Sequence, residues 1–330
     1  MSFDQTEWVW IDGEYIRWVD ASVHIATHTL HLGSGVFEAL RCYQTESGPA
    51  VFRLDAHVER LFASAAVYNL EIPYTREQLA EAICETVRLN NFDICYIRVL
   101  CYLGVGSLGV SPRNCPVHLA ILSWPLGAYL GGAEVLEKGV RVTVSSWVKF
   151  HSRMMPTTAK ACGQYLNSIL AMREAIERGY DEGILLDVDG NIAEGSGENI
   201  FIVRDGRIIT NDEQSSILLG ITREAVIEIA RDLGFAVEVR KLRVAELYSA
   251  DEAFFTGTAA EVTPIREVDG TFIGQQPRGP VTTRLQQHFF AATSGRDPKY
   301  KKWLHFIEPK LDWQTTTSVS GLDVQPSLQG

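Results

Sequence analysis

Basic residues are in short supply: 30 Lys and Arg stand against 41 Asp and Glu in 330 residues, a formal net charge of −11. An acidic surface repels phosphate backbones and anionic membranes, which argues against nucleic acid or lipid as the main partner. Long hydrophobic runs are missing too. The most apolar stretch, Val117 to Gly132, is broken by Pro125 and falls short of the ~20 residues that a membrane helix needs. Met1 to Trp8 lacks the basic and apolar regions of a signal peptide. Six cysteines (Cys42, Cys84, Cys95, Cys101, Cys115 and Cys162) form no CxxC pair and no zinc-ligand spacing. No metal site is therefore expected, and the thiols read as reduced and mostly buried in a cytoplasmic protein. No repeat or low-complexity segment precedes about Ser294.

What is present is ordinary globular material: 46% hydrophobic and 22% charged residues, with 14 Phe, 11 Tyr and 7 Trp spread along the chain, which excludes disorder as the main state. At ~100–200 residues per domain the length suggests one large or two medium domains.

Asp12-Gly13 predicts a hairpin between Trp8–Ile11 and Glu14–Val19, and Gly48-Pro49 a second between Gly35–Tyr43 and Ala50–Arg53. A helix with Asp55 as N-cap carries an apolar stripe of Val58, Leu61, Phe62 and Ala65. Another opens on the capping box Thr75 to Gln78 and buries Leu79, Ala82, Ile83 and Val87. Strands are expected at Cys95–Tyr102 and Val117–Leu122, and Pro125 to Gly132, with its Pro and Gly, is the candidate interdomain connection. Beyond it lie a strand at Gly139–Val144, a helix from Gly163 to Arg178, a meander from Gly183 to Thr210, and a helix from Thr222 to Leu233. Strand character resumes at Phe235–Val239, and a last helix runs from about Val281 to Ala292. Strands dominate and the helices do not alternate with them, so the class is α+β with two mixed or antiparallel sheets.

Gly104 to Gly109 matches GxGxxG, but a dinucleotide fingerprint must open a helix and here Pro112 and Pro116 follow. A substrate-side loop is the better reading. Lys160, in Pro156-Thr-Thr-Ala-Lys-Ala-Cys-Gly163, has small apolar neighbours. Burial would lower its pKa and suit it to amine nucleophilic chemistry, although a lysine at a helix entrance with its head in water fits as well. Glu194 lies where a hairpin strand enters the Gly-rich bend Glu194-Gly-Ser-Gly-Glu-Asn199, either as a solvated glutamate or as a carboxylate for a ring-nitrogen proton. Gly220-Ile-Thr-Arg223 opens a helix with Thr222 as N-cap: simple capping, or a phosphate cradle on free amides. Gly257 to Glu261 is a second small-residue turn suited to an anion, and Arg60 is a helix-face arginine or that anion's partner.

Together, a Schiff-base lysine, a ring-nitrogen carboxylate and a phosphate cradle with arginine are what pyridoxal 5′-phosphate requires. From roughly Trp10 to Trp303 the chain resembles the branched-chain-amino-acid aminotransferases, class IV of the pyridoxal-phosphate aminotransferases. The resemblance is carried by His31 to Glu38, Arg53 to Arg60, Tyr96-Ile-Arg98, Gly127-Ala-Tyr129 and Pro156 to Lys160. It continues through Gln164 to Asn167, Asp181-Glu-Gly183, Glu194 to Phe201, Gly220 to Arg223 and Gly257 to Glu261.

The resemblance implies the two-domain α+β architecture of fold-type IV (D-amino acid aminotransferase-like). A smaller domain spans 1–126, a connection 127–136, a larger domain with the cofactor lysine 137–310, and a tail 311–330. It implies that Lys160 holds the cofactor through a Schiff base and shuttles the α-proton, that Glu194 pairs with the ring nitrogen, and that Tyr165 lies near the ring oxygen. Arg60, Ile221, Thr222 and Thr258 would bind the phosphate. Phe37, Tyr96, Arg98, Tyr129, Gly197, Ala259 and Leu32 would line the substrate pocket.

The activity implied is transfer of the amino group of leucine, isoleucine or valine to 2-oxoglutarate, by a homodimer or larger assembly with pocket residues crossing the interface. Two departures bear on the donor: the family usually has Tyr at the position of Leu32, and bacterial members often have Trp at Leu126. A D-amino acid or (R)-amine transaminase, an aminodeoxychorismate lyase, and a non-catalytic binding protein on the same fold are the alternatives.

Overall fold

A computed structural model describes residues 6–127, 130, 132 and 134–308. Tyr129 and the 311–330 tail lie outside the described residues. The first half builds a hairpin, β1 (Trp8–Ile11) with β2 (Glu14–Arg17), then α1 (His28–Leu32), β3 (Gly35–Thr45), β4 (Gly48–Phe52), α2 (Leu54–Val67), α3 (Arg76–Leu89), β5 (Cys95–Leu103) and β6 (Val117–Trp124). Asp12-Gly13 makes the expected turn, but β2 ends two residues short of Val19 because Trp18–Asp20 winds into a 3-10 turn. The second hairpin turns at Glu46-Ser47, and Gly48-Pro49 lies inside β4 rather than at the turn. No helix lies between β5 and β6, so the GxGxxG segment opens none.

Alternation along β3 explains the layering, because successive strand side chains point to opposite faces. Val36, Leu40 and Cys42 join Ile97, Val99 and Cys101 of β5 in a core against Val58 and Leu61 of α2 and Leu79, Ile83 and Val87 of α3. Phe37 and Ala39 point the other way, with Tyr96 and Arg98 of β5, into a cavity at the second half of the molecule.

The capping box is as expected, with Thr75 Oγ1 accepting from Gln78 N and Thr75 N donating to Gln78 Oε1. The start of α2 is a correction. Its N-cap is Arg53, in the left-handed region at φ 53°, and Asp55 lies within the first turn. Tertiary contacts override the local signal: Arg53 N donates to Trp303 O at 2.6 Å, and its guanidinium meets Glu224 at 2.8 Å.

The second half comprises α4 (Val135–Lys138), β7 (Val140–Val148), α5 (Tyr165–Glu177), β8 (Glu182–Leu186), β9 (Ile192–Gly195), β10 (Asn199–Arg204), β11 (Arg207–Thr210) and α6 (Ile221–Asp232). It continues with β12 (Val237–Val239), α7 (Val244–Tyr248), β13 (Glu252–Gly257), β14 (Glu261–Val268), β15 (Thr271–Phe272), α8 (Pro280–Thr293) and β16 (Leu304–Phe306). The first sheet runs β16-β4-β3-β5-β6-β1-β2, antiparallel throughout. The second runs β12-β11-β10-β13-β14-β7-β8-β9 with β15 on β14, and its β11–β12, β14–β7 and β7–β8 pairs are parallel. One sheet is antiparallel and the other mixed, as an α+β chain of this pattern should build. Two local crossovers, β7–α5–β8 and β11–α6–β12, supply βαβ units that the sequence pattern did not announce.

The closing strand β16 joins the first sheet, beside β4, although it lies within the 137–310 stretch expected to form the second domain. Aromatic packing draws it there: Phe52 meets Phe289 at 5.7 Å and Trp303 at 5.8 Å, in a cluster that also holds Phe201 and Phe254 of the second sheet. Among the described residues no helix is long and apolar enough to cross a membrane, and no cluster of His, Cys, Asp or Glu is suited to a metal ion.

Candidate active site

Lys160 is carried on the segment between β7 and α5, and that segment is stitched to β3. Phe37 N donates to Lys160 O at 2.9 Å, Val36 bridges Ala161, and Lys160 N donates to Ser64 Oγ on α2 at 3.0 Å. The close approach needs glycine at Gly33. Its φ is +65°, and a Cβ there would sit 2.8 Å from Gly163 Cα. Lys160 Nζ donates to the hydroxyl of Tyr165, the first residue of α5, at 2.7 Å, and lies 5.0 Å from the Phe37 ring. Burial, and then the Arg60 charge, lower this amine from its ordinary 10.5 to about 8. An amine poised there supplies the neutral form near physiological pH.

Two cavities meet at this lysine: Lys160, Tyr165, Gly197 and Thr258 line both. The first is polar. At one end, α6 presents the amides of Ile221 and Thr222, which have no intrahelical acceptors at that position, with Thr222 and Thr258 beside them. The N-cap is Gly220 rather than Thr222, which stands inside the first turn. A Cβ at Gly220 would collide with Asn199 Oδ1, so the close seating of this helix end requires glycine.

Arg60 reaches the same end from α2. Its Nε and Nη2 donate to Glu38 at 2.6 and 3.0 Å, and its Nη1 donates to Leu219 O at 3.0 Å. Glu38 also faces His57 Nδ1 at 2.7 Å. Burial opposes the charge on Glu38, but Arg60 and His57 hold its carboxyl far below the usual carboxylate range. Glu38 is the one acid on the core-facing side of β3, and it fixes the guanidinium as a planar fork.

Glu194, buried on β9, lines the same cavity. Its Oε2 accepts from Asn199 Nδ2 at 3.2 Å and Leu218 N at 3.0 Å, and its Oε1 lies 2.8 Å from Lys149 Nζ, which is itself buried. The second cavity, about 420 Å³, is walled by Phe37, Ala39, Tyr96, Leu100, Trp124 and Leu126. Arg98 enters it with its guanidinium 4.4 Å from the Phe37 ring; its Nε is buried without a hydrogen-bond partner among the described residues. Arg41 ties this wall together, donating to Ala259 O and Leu126 O, both at 3.4 Å.

The structure thus gathers Lys160, Tyr165, Glu194, Arg60, Ile221, Thr222 and Thr258 around one cavity, and Phe37, Tyr96, Arg98, Gly197 and Ala259 around the adjoining one. Leu32 stands apart. It is 47% exposed at the end of α1 and lines neither cavity of its own chain. Sequence reasoning did not find Glu38 or Lys149 as functional residues. Glu38 carried a signal, an acid interrupting an apolar strand face; Lys149 carried none, because its partner is chosen only by the fold.

The donor set fits pyridoxal 5′-phosphate. Helix amides, two threonines and a fixed arginine suit a dianion, and a buried carboxylate and an amine of lowered pKa line the same cavity. Thr256 Oγ1, buried on the wall of this cavity, has no hydrogen-bond partner among the protein's described residues, as expected of a group facing a ligand.

Comparison with known proteins agrees with this reading. Residues 35–268 match the family model described as amino-transferase class IV. A branched-chain-amino-acid aminotransferase of Pseudomonas aeruginosa is 47% identical over 300 residues, spanning 91% of this chain and 97% of that protein. That of Escherichia coli K12 is 45% identical over 305 residues, spanning 92% and 98%. Among solved structures, the Escherichia coli branched-chain amino acid aminotransferase superposes with a TM-score of 0.90 at 45% identity, covering 92% of this chain and 100% of that one. The enzyme of Thermobaculum terrenum, solved in its PLP-bound holo-form, does so with a TM-score of 0.85 at 34% identity, covering 91% and 98%.

Proposed function

The chain belongs to the class IV aminotransferase family, and from that premise we propose how its own residues divide the work of a transaminase. It is a pyridoxal-phosphate-dependent enzyme that transaminates branched-chain amino acids. When bound, the cofactor supplies an electron sink for the bond broken at the substrate α-carbon. Arg60, Thr222, Thr258 and the amides of Ile221 and Thr222 bind its phosphate. Glu194 holds a proton at its ring nitrogen, and Lys149 holds Glu194. Lys160 anchors the cofactor and carries the proton at the substrate α-carbon, with Tyr165 aiming its Nζ.

The acceptor is 2-oxoglutarate. What carries this reading is one cavity with two characters: aromatic and aliphatic walls for a branched side chain, and Arg98 Nε buried among them without a partner among the described residues. A γ-carboxylate entering the cavity would meet that guanidinium, and an aliphatic side chain would meet the rings.

The working form is a cytoplasmic homodimer or larger assembly. Exposed Val19, Ile25, Leu30, Val105, Leu108 and Val110 suit a second copy, and all six thiols are free. In such an assembly Leu32 reaches the cavity of the partner rather than its own.

The test is an amino-donor panel with 2-oxoglutarate: L-leucine, L-valine, D-alanine and (R)-1-phenylethylamine. The expected result is turnover of the two L-amino acids. Turnover of D-alanine or the amine alone overturns the donor assignment.

A further inference from the structure

Glu182 on β8 and Glu198, just ahead of β10, have no part in the chemistry above, yet both are buried beneath it. Glu182 has no exposed surface and Glu198 only 3%. Glu182 Oε1 accepts from Gly183 N at 2.7 Å and Ser196 N at 3.1 Å, and Glu198 Oε2 accepts from Gly197 N at 3.1 Å. The two carboxyls therefore grip successive amides of one turn; Gly197 and Glu198 line both cavities and Ser196 the first.

Among the described residues no N–H or O–H donor reaches the buried Glu182 Oε2, and the Glu182 and Glu198 side chains lie within hydrogen-bond reach of each other. Two buried carboxylates in contact suffer desolvation and mutual repulsion unless a proton lies between them. Among the charged groups facing Glu198, Glu194 on β9 adds to the repulsion and Lys160 relieves part of it. Burial pushes both carboxyls above the usual range, and the Glu182 charge pushes Glu198 further. Accepting two amides favours the ionised form of Glu182 over that of Glu198, which accepts one.

We propose that Glu182 and Glu198 hold one proton between them, borne by Glu198 and donated to Glu182, and that the pair positions the Ser196–Gly197 turn against the substrate. Glu198 is a positioning residue rather than a catalytic one. The proton also keeps a second full negative charge away from Lys160. Only the purpose of the turn rests on the transaminase reading; the shared proton does not.

The experiment compares holoenzyme at pH 8 with Glu198→Gln by infrared difference spectroscopy, using Glu261→Gln as the control for another buried carboxyl. A carboxylic-acid C=O band should be lost in Glu198→Gln and kept in Glu261→Gln. In steady-state assays Glu198→Gln, whose carboxamide still donates to Glu182, should keep the KM for L-leucine within about twofold. Glu198→Ala should raise it about tenfold with a smaller change in kcat. No band assignable to Glu198, or a Glu198→Gln enzyme as impaired as Glu198→Ala, overturns the shared proton. An unchanged KM in Glu198→Ala overturns the positioning role. The band is read without turnover, so it stands whichever amino donor the enzyme uses.

Discussion

At the scale of single residues, Lys160 combines a nucleophile's requirements in one side chain. Its pKa is lowered to about 8, its Nζ is aimed by Tyr165, and its backbone is tied to β3 and α2. Lys160→Ala should abolish transamination and the borohydride-reducible cofactor adduct; persistence of the adduct means another amine is the anchor. The lowered pKa has a thermodynamic consequence in cofactor-free protein. Between about pH 8 and 10.5 the unfolded chain binds a proton that the folded chain does not, so stability rises with pH across that window and is flat below it. Denaturant unfolding at pH 8 and pH 10 checks this, and Lys160→Met should remove the rise. Glu38 acts through Arg60. Glu38→Gln keeps the shape but loses the charge that locks the fork, so cofactor affinity, read by absorbance titration, should fall about tenfold. Lys160 and Glu194 were legible in the sequence only in combination, since each alone also fits a solvated side chain and the ordered motifs around them selected the other reading. Glu38 and Lys149 were not, because a charged side chain declares a partner only when the fold brings one within reach.

At the scale of elements, local signals were read correctly where the element depends on itself. The capping box of α3 and the Asp12-Gly13 turn stand as expected: the box closes on itself within four residues, and the turn's β1–β2 pairing is local although Asp12 also bonds to Leu119 of β6. They misled where a distant contact decides: α2 starts on Arg53 because Trp303 and Glu224 hold it. The apolar stripe of α2 is real, and Leu61, 1% exposed, is its largest fully buried member. Leu61→Ala should cost about 2–5 kcal/mol in denaturant unfolding through the cavity it leaves. The start of α6 is set by shape. Gly220→Ala would drive a methyl into Asn199, displacing the amides of Ile221 and Thr222 and weakening cofactor binding more than it lowers the melting temperature. Equal losses in both would mean that the helix end is merely structural.

At the scale of the whole molecule, two sheets of different character are joined by polar contacts such as Arg53 with Glu224 and by two larger seams. One is the aromatic cluster of Phe52, Phe289 and Trp303; the other is the seam between β3 and the lysine segment. The site lies along that seam, so each half is incomplete alone. The exposed apolar residues near the N-terminus extend the argument to a second copy. Sedimentation velocity should find a dimer or larger species, and Ile25→Glu with Leu30→Glu should shift it toward monomer and lower activity. A wild-type monomer with full activity overturns the shared cavity.

What the sequence determined by itself was the class of fold, the cofactor chemistry and the residue types that carry it. The fold class follows from strand and helix periodicity; the cofactor chemistry and the residues proposed for it follow from the combination of motifs and the family resemblance they carry. What only the tertiary structure decided was the pairing of buried charges: Glu38 with Arg60, Lys149 with Glu194, and Glu182 with Glu198. It also decided the return of β16 to the first sheet and the seating of Leu32 outside its own cavity. The physical reason is the same for each. Burial makes a charge or a ring costly to leave unpartnered, and the partner lies far along the chain, where neither propensity nor spacing records it.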